Sequence, residues 1–109
     1  LNASKLKTKT TMSLSTLTER MQTLIGDNSS LGATIKFVTD AGVVYVDATT
    51  TPPQVHNEDK EAECVVELSA EDAQKLLDGD LNPMSAFMMG KLKVKGNMGV
   101  AMKFMQIVS

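Results

Sequence analysis

One cysteine, one histidine and three acidic pairs are the side chains from which this chain could assemble chemistry, and their settings argue against each assembly. Cys64 lies in the alternating apolar run ECVVEL, with no histidine nearby and no helix N-terminus to lower its pKa. A buried, inert thiol is therefore expected rather than a nucleophile. His56 stands in the polar stretch TPPQVHNEDK, residues 51–60, with no Cys or His at ligand spacing, which points to a surface loop side chain and to no metal. The pairs Glu58/Asp59, Glu61/Glu63 and Glu71/Asp72 read as solvated loops and helix caps. No general acid is joined to a base and an electrophilic stabiliser, so no catalytic residue, enzyme activity or cofactor is expected.

A phosphate loop also fails. Gly90 and Gly96 enclose five residues and Asn97 follows, whereas the nucleotide-binding spacing needs four residues and then a lysine. Gly96 and Asn97 are better placed as a strand-to-helix corner, with Asn97 capping the helix. Lys91, Lys93 and Lys95 recur at period two along one side of a strand, a pattern that protects a sheet edge from aggregation and can also attract anionic head groups.

Methionine is the residue that stands out. Six of the chain's eight fall between Met84 and Met105, on two segments of helical period flanking that lysine-bearing strand. Methionine specifies packing poorly and adapts to irregular shapes well. Two successive helices with the same soft face suggest a wall able to repack around a guest.

The elements that must hold this wall follow from periodicity. Leu14, Leu17, Met21, Leu24 and Ile25 define one face of an amphipathic helix that ends at Gly26. Alternation then takes over: ATIKFVT and VVYVDAT, joined through DAG at 40–42, form a hairpin. The stretch 51–60 is expected to be loop, because two prolines cannot sit in a central strand. ECVVEL is a third strand, with Cys64, Val66 and Leu68 on one face. Ser69 caps a short helix that stops at Gly79, and Asn82 with Pro83 at the first helical position opens another carrying Met84, Phe87 and Met88. KLKVK turns Leu92 and Val94 inward, and the last helix shows Met98, Ala101, Met102 and Met105 at helical spacing.

This order predicts one α+β domain over residues 12–109, a mainly antiparallel sheet with helices on one face. Leu1–Thr11, polar and basic, is expected to be an extension, linker or expression scar outside the fold. A net charge of −2 and the absence of Trp give no support to nucleic-acid binding. No apolar run approaches the roughly 20 residues needed to span a bilayer. A single cysteine fits a reducing compartment.

From Ala62 to Gln106 the chain resembles the sterol carrier protein 2 domain family. NPMSAF (82–87), GKLKVKGNMG (90–99) and AMK (101–103) carry the likeness in order and without gaps, and the helix and hairpin upstream extend it to about residue 13. The resemblance implies a five-stranded sheet and helices enclosing an apolar tunnel. It further implies non-enzymatic binding and intracellular transfer of fatty acids, fatty acyl-CoA, sterols or phospholipids, with transient contact to an anionic membrane surface. Carried over by position, Phe87, Met88, Leu92, Val94, Met98, Met102 and Met105 line the tunnel. Met84, where peroxisomal members often carry Gln, makes it greasier, as does Met105 near a position that is polar in those members. The ending QIVS lacks a lysine-leucine type targeting tail, so a cytoplasmic location is expected, with a peroxisomal one as the alternative. The second functional expectation is an accessory domain of a larger lipid-metabolising enzyme, whose groove takes a partner's apolar segment.

Overall fold

A computed structural model describes residues 13–26 and 31–108; the expected extension 1–11 lies outside the described residues. Among the described residues nine elements follow in chain order: α1 (Leu14–Ile25), β1 (Thr34–Thr39), β2 (Gly42–Asp47), β3 (Gln54–His56), β4 (Cys64–Glu67), α2 (Ala70–Asp78), α3 (Pro83–Met88), β5 (Lys93–Gly96) and α4 (Met98–Val108). The five strands form one mixed, mostly antiparallel sheet in the order β3-β2-β1-β4-β5. Only β1 and β4 run parallel, in the register Ile35↔Cys64 and Phe37↔Val66.

Local chemistry starts each helix. Ser13 Oγ accepts from the Thr16 N–H, Ser69 Oγ from Asp72, Asn82 Oδ1 from Met84 and Ser85, and Asn97 Oδ1 from Gly99 and Val100. Each satisfies donors that a helix N-terminus leaves without an internal partner. Gly79 closes α2 in the left-handed conformation, φ 81°, where a side chain is disfavoured. Gly96 is constrained twice over: its φ is 91°, and a Cβ there would meet the Glu63 carbonyl oxygen at 2.5 Å.

Alternation sorts the sheet into two faces. Ile35, Phe37, Val44, Val46, Cys64 and Val66 point to the side covered by α1 and α4, and all are buried. The opposite face is crossed by residues 57–63 on their way from β3 to β4. Tyr45 Oη donates to the Glu61 carbonyl, Lys36 pairs with Asp59 at 2.7 Å, and Lys60 lies over the Tyr45 ring. This strap buries Tyr45 on a face that would otherwise be solvated.

One expectation is corrected. The stretch 51–60 is not all loop: Gln54–His56 pairs antiparallel with β2, setting Val55 against Val46 and His56 against Tyr45. The strand begins directly after Pro53, so neither proline removes a hydrogen bond from a central ladder. His56 is accordingly a strand residue, half-buried and stacked on Tyr45 at 4.9 Å between ring centroids. Its Nδ1 accepts from the Glu58 N–H.

Candidate functional site

The two faces of α4 decide where an apolar guest could sit. Val100, Ala101, Phe104 and Met105 are buried against the sheet, while Met98 and Met102 are exposed. On α3, Pro83 and Ala86 turn inward, and Met84, Phe87 and Met88 face out. Burying phenylalanine removes at least as much apolar surface as burying methionine, and both valine and phenylalanine lose fewer rotatable bonds, which favours Val100 and Phe104 at the core positions.

Between α1, α2, α4 and the sheet lies an apolar cavity of about 20 Å³, room for little more than one water. Leu17 and Met21 of α1, Phe37 and Val44 of the sheet, Leu76 of α2 and Phe104 of α4 form most of its wall. The Phe37 and Phe104 rings meet there at 4.6 Å and 54°. Among the described lining residues Thr39 has the one hydroxyl, and it is fully engaged: Oγ1 donates to the Gly42 carbonyl and accepts from the Ala41 and Gly42 N–H groups. Among the described residues the lining therefore carries no free polar group to anchor a ligand head. Arg20 ties α1 to α2, donating to Asp78 at 2.5 Å and to the Leu77 carbonyl.

Val108 lines this cavity and also a surface groove of about 400 Å³ formed with Gly79, Asp80, Leu81, Asn82 and Pro83. Asn82 and Pro83 in turn border a second groove of about 280 Å³ with Met84, Met102, Met105 and Gln106. Val108 thus stands between the interior and the first groove, and Asn82 with Pro83 between the two grooves around the end of α4.

The sequence-derived residues divide between the outer surface and the core. Met84, Met102 and Met105 come together in the outer groove; Met88 and Met98 lie one helical turn from two of them, with Phe87 beside Met88. Leu92 is buried in the core and Val94 packs against it. None of the eight lines the inner cavity. Its wall uses Leu17, Met21, Phe37, Val44, Leu76 and Phe104, which periodicity marks only as core. Phe37 and Phe104, two of just three phenylalanines, carried the available hint.

Cys64 lies at the centre of the core and is fully buried, and desolvation pushes its thiol above the ordinary range. A thiol so held is neither accessible nor ionised near neutrality. Among the described residues no cluster of His, Cys, Asp or Glu could hold a metal ion, and no helix is long and apolar enough to cross a membrane.

Residues 16–109 match the SCP-2 sterol transfer family. The chain belongs to that family. Sterol carrier protein 2 from Oryctolagus cuniculus is 47% identical to this SCP-2 domain over 51 residues, which are 47% of the chain but only 9% of the rabbit protein. Hydroxysteroid dehydrogenase-like protein 2 from Rattus norvegicus is 36% identical over 72 residues, 64% of the chain and 14% of that protein. The chain thus spans a small fraction of the curated relatives it matches. Among solved structures, the sterol carrier protein domain 2 of Helicoverpa armigera superposes with a TM-score of 0.68 at 25% identity, covering 86% of this chain and 83% of that one. Sterol carrier protein 2 from Yarrowia lipolytica in its apo form gives 0.63 at 28%, covering 87% and 77%. The palmitated SCP2L2 of Aedes aegypti gives 0.69 at 20% identity, covering 89% and 95%, a likeness of fold.

Proposed function

We propose that this SCP-2 domain is a non-enzymatic carrier that takes the apolar part of a fatty acid, fatty acyl-CoA, sterol or phospholipid into the space between its helices and sheet. The observation that carries the reading is an interior cavity walled by apolar groups, separated by Val108 from a surface groove that adjoins the methionine-lined one. Ligand sites ordinarily hold roughly 300–1,000 Å³, so on this reading the interior is closed until a lipid chain opens it. Met21 and Met105, unbranched and buried, are suited to repack as it does.

On this reading Met84, Met102 and Met105 form the entrance, Phe87, Met88 and Met98 extend it over the surface, and Leu92 with Val94 supports it from the core. With no free polar group among the described residues of the inner lining, the tail goes in and the head group stays at the grooves. Each methylene transferred contributes roughly 0.8 kcal/mol, about 12 for sixteen carbons. Association costs of at least roughly 4 kcal/mol, with the work of opening the core, leave an affinity near micromolar, which suits a protein that must release its cargo. Release and loading would use transient contact with an anionic membrane, and the lone buried thiol supports a reducing compartment such as the cytoplasm.

Displacement of a fluorescent fatty acid by palmitate, palmitoyl-CoA, cholesterol and phosphatidylcholine tests the proposal, with native mass spectrometry to count bound ligand. Saturable displacement by at least one class is expected. No bound lipid and no displacement by any would overturn it. A second reading, an accessory domain of a larger enzyme, is favoured by the 14% share that the matched segment makes of the rat dehydrogenase-like protein. It predicts the same lipid uptake together with a covalently continuous catalytic domain.

A further inference from the structure

We propose that the face formed by α3, the turn after it and the outer side of α4 docks the domain onto an anionic phospholipid bilayer. The proposal rests on the carrier reading and deepens it by naming the surface across which lipid passes.

Large apolar side chains concentrate there. Met88 is 81% exposed and Met89 60%, and Met84, Met98 and Met102 are each more than two-fifths exposed. Soluble domains scatter exposed apolar residues singly, so a cluster on two adjacent elements calls for something to cover it. The charge around it says what. After Asp80 the chain carries four lysines and no acidic residue, although the whole protein is at −2. Lys95 pairs with Glu67, whereas Lys91, Lys93 and Lys103 have no ion-pair partner among the described residues. Lys91 stands in the turn that follows Met89, and Lys103 borders Met102 on α4. Lys93 projects from the edge strand on the other side of the sheet and adds only to the field.

Apolar side chains that enter the acyl boundary beside long cations that stay at the phosphate level are the two parts of an interfacial site. A second copy of the chain would set Lys91 and Lys103 of this face against the same two lysines, with no acidic residue after Asp80 to meet them. A protein partner is less well matched, since lysine is depleted from the cores of protein interfaces. The outer groove, with Met84, Met102 and Met105, opens on the same face, so docking would place the entrance against the bilayer.

The test uses the full chain and vesicles of equal parts phosphatidylcholine and phosphatidylglycerol, with pure phosphatidylcholine for comparison. Binding to the mixed vesicles that weakens as salt rises is expected. Lys91→Gln should weaken it about fivefold and Lys91→Gln with Lys103→Gln about thirtyfold, while fatty-acid uptake in vesicle-free buffer stays unchanged. The chain has no tryptophan, so Met89→Trp supplies a depth probe and Glu58→Trp, on the strap of the opposite sheet face, its control. Bromolipid should quench the first and spare the second. Equal binding to both vesicle types, no effect of the lysine pair, quenching at Glu58→Trp, or vesicle-independent dimerisation through this face would each overturn the proposal. Loss of fatty-acid uptake by the wild-type chain with docking intact would instead remove the carrier reading and leave the docking face standing.

Discussion

Replacing Phe104 with alanine separates a space that opens for a ligand from a core that merely packs. The Phe104 ring is buried, walls the cavity and meets Phe37 at 4.6 Å. A lipid tail entering between α4 and the sheet must part these rings. Truncation at such a site costs about 3–5 kcal/mol of folding stability, close to the whole of the least stable domains and a third of the most stable. The aromatic pair itself contributes about 0.5–1.5 kcal/mol beyond its buried area. Because that contact is already lost in Phe104→Ala, binding no longer has to break it, and palmitate affinity should rise about threefold to tenfold. Val46→Ala is the control, since Val46 is fully buried in the same core but does not line the cavity. It should lower stability and leave affinity alone. Urea midpoints with and without palmitate, alongside fluorescent displacement, measure both quantities. An affinity that is unchanged or weaker in Phe104→Ala, or that rises equally in Val46→Ala, would refute the reasoning.

Three further outcomes follow from the same structure. Met102→Lys should keep the fold, because the position is 42% exposed and a lysine can reach water, yet reduce fatty-acid uptake by setting a charge at the groove; undiminished uptake would contradict the entrance assignment. Gly96→Ala should lower stability by at least about 2 kcal/mol, since a Cβ meets the fixed Glu63 carbonyl in a backbone conformation that suits glycine; a urea midpoint within error of wild type would be the contrary result. Cys64 carries a pH signature. Burial raises its thiol pKa in the folded state, so stability is fully present below the unfolded value of about 8.5 and falls as pH rises from there toward the folded value. Cys64→Ala should flatten that alkaline decline, and thiol labelling of the wild type should proceed only as fast as the protein opens.

Much of this architecture was legible in local chemistry. Ser69, Asn82 and Asn97 cap the helices that their positions announced, Gly79 closes α2, and the alternation of Cys64 and Val66 marks the inner face of β4. Strand β3 was not legible, because three residues after two prolines carry no period of their own and are strands only through pairing with β2. Helix α4 shows why the site was harder. Met98, Ala101, Met102 and Met105 trace one apolar arc and Val100, Ala101, Phe104 and Met105 an overlapping one, and periodicity alone does not choose between them. Tertiary packing chose the stiffer set. The inner cavity could not be read from spacing at all, since its wall joins Met21, Phe37, Leu76 and Phe104 from four separate elements.

The claim that the interior accepts the tail is most directly tested by methionine-methyl NMR with ¹³C-labelled palmitate. Met21 lines the inner cavity and Met105 borders the outer groove, whereas Met88 lies wholly on the surface. Intermolecular contacts from the acyl chain to the Met21 methyl and to the Phe37 and Phe104 rings are predicted. Contacts confined to Met88, Met98 and Met102, with Met21 and both rings unmoved, would contradict it.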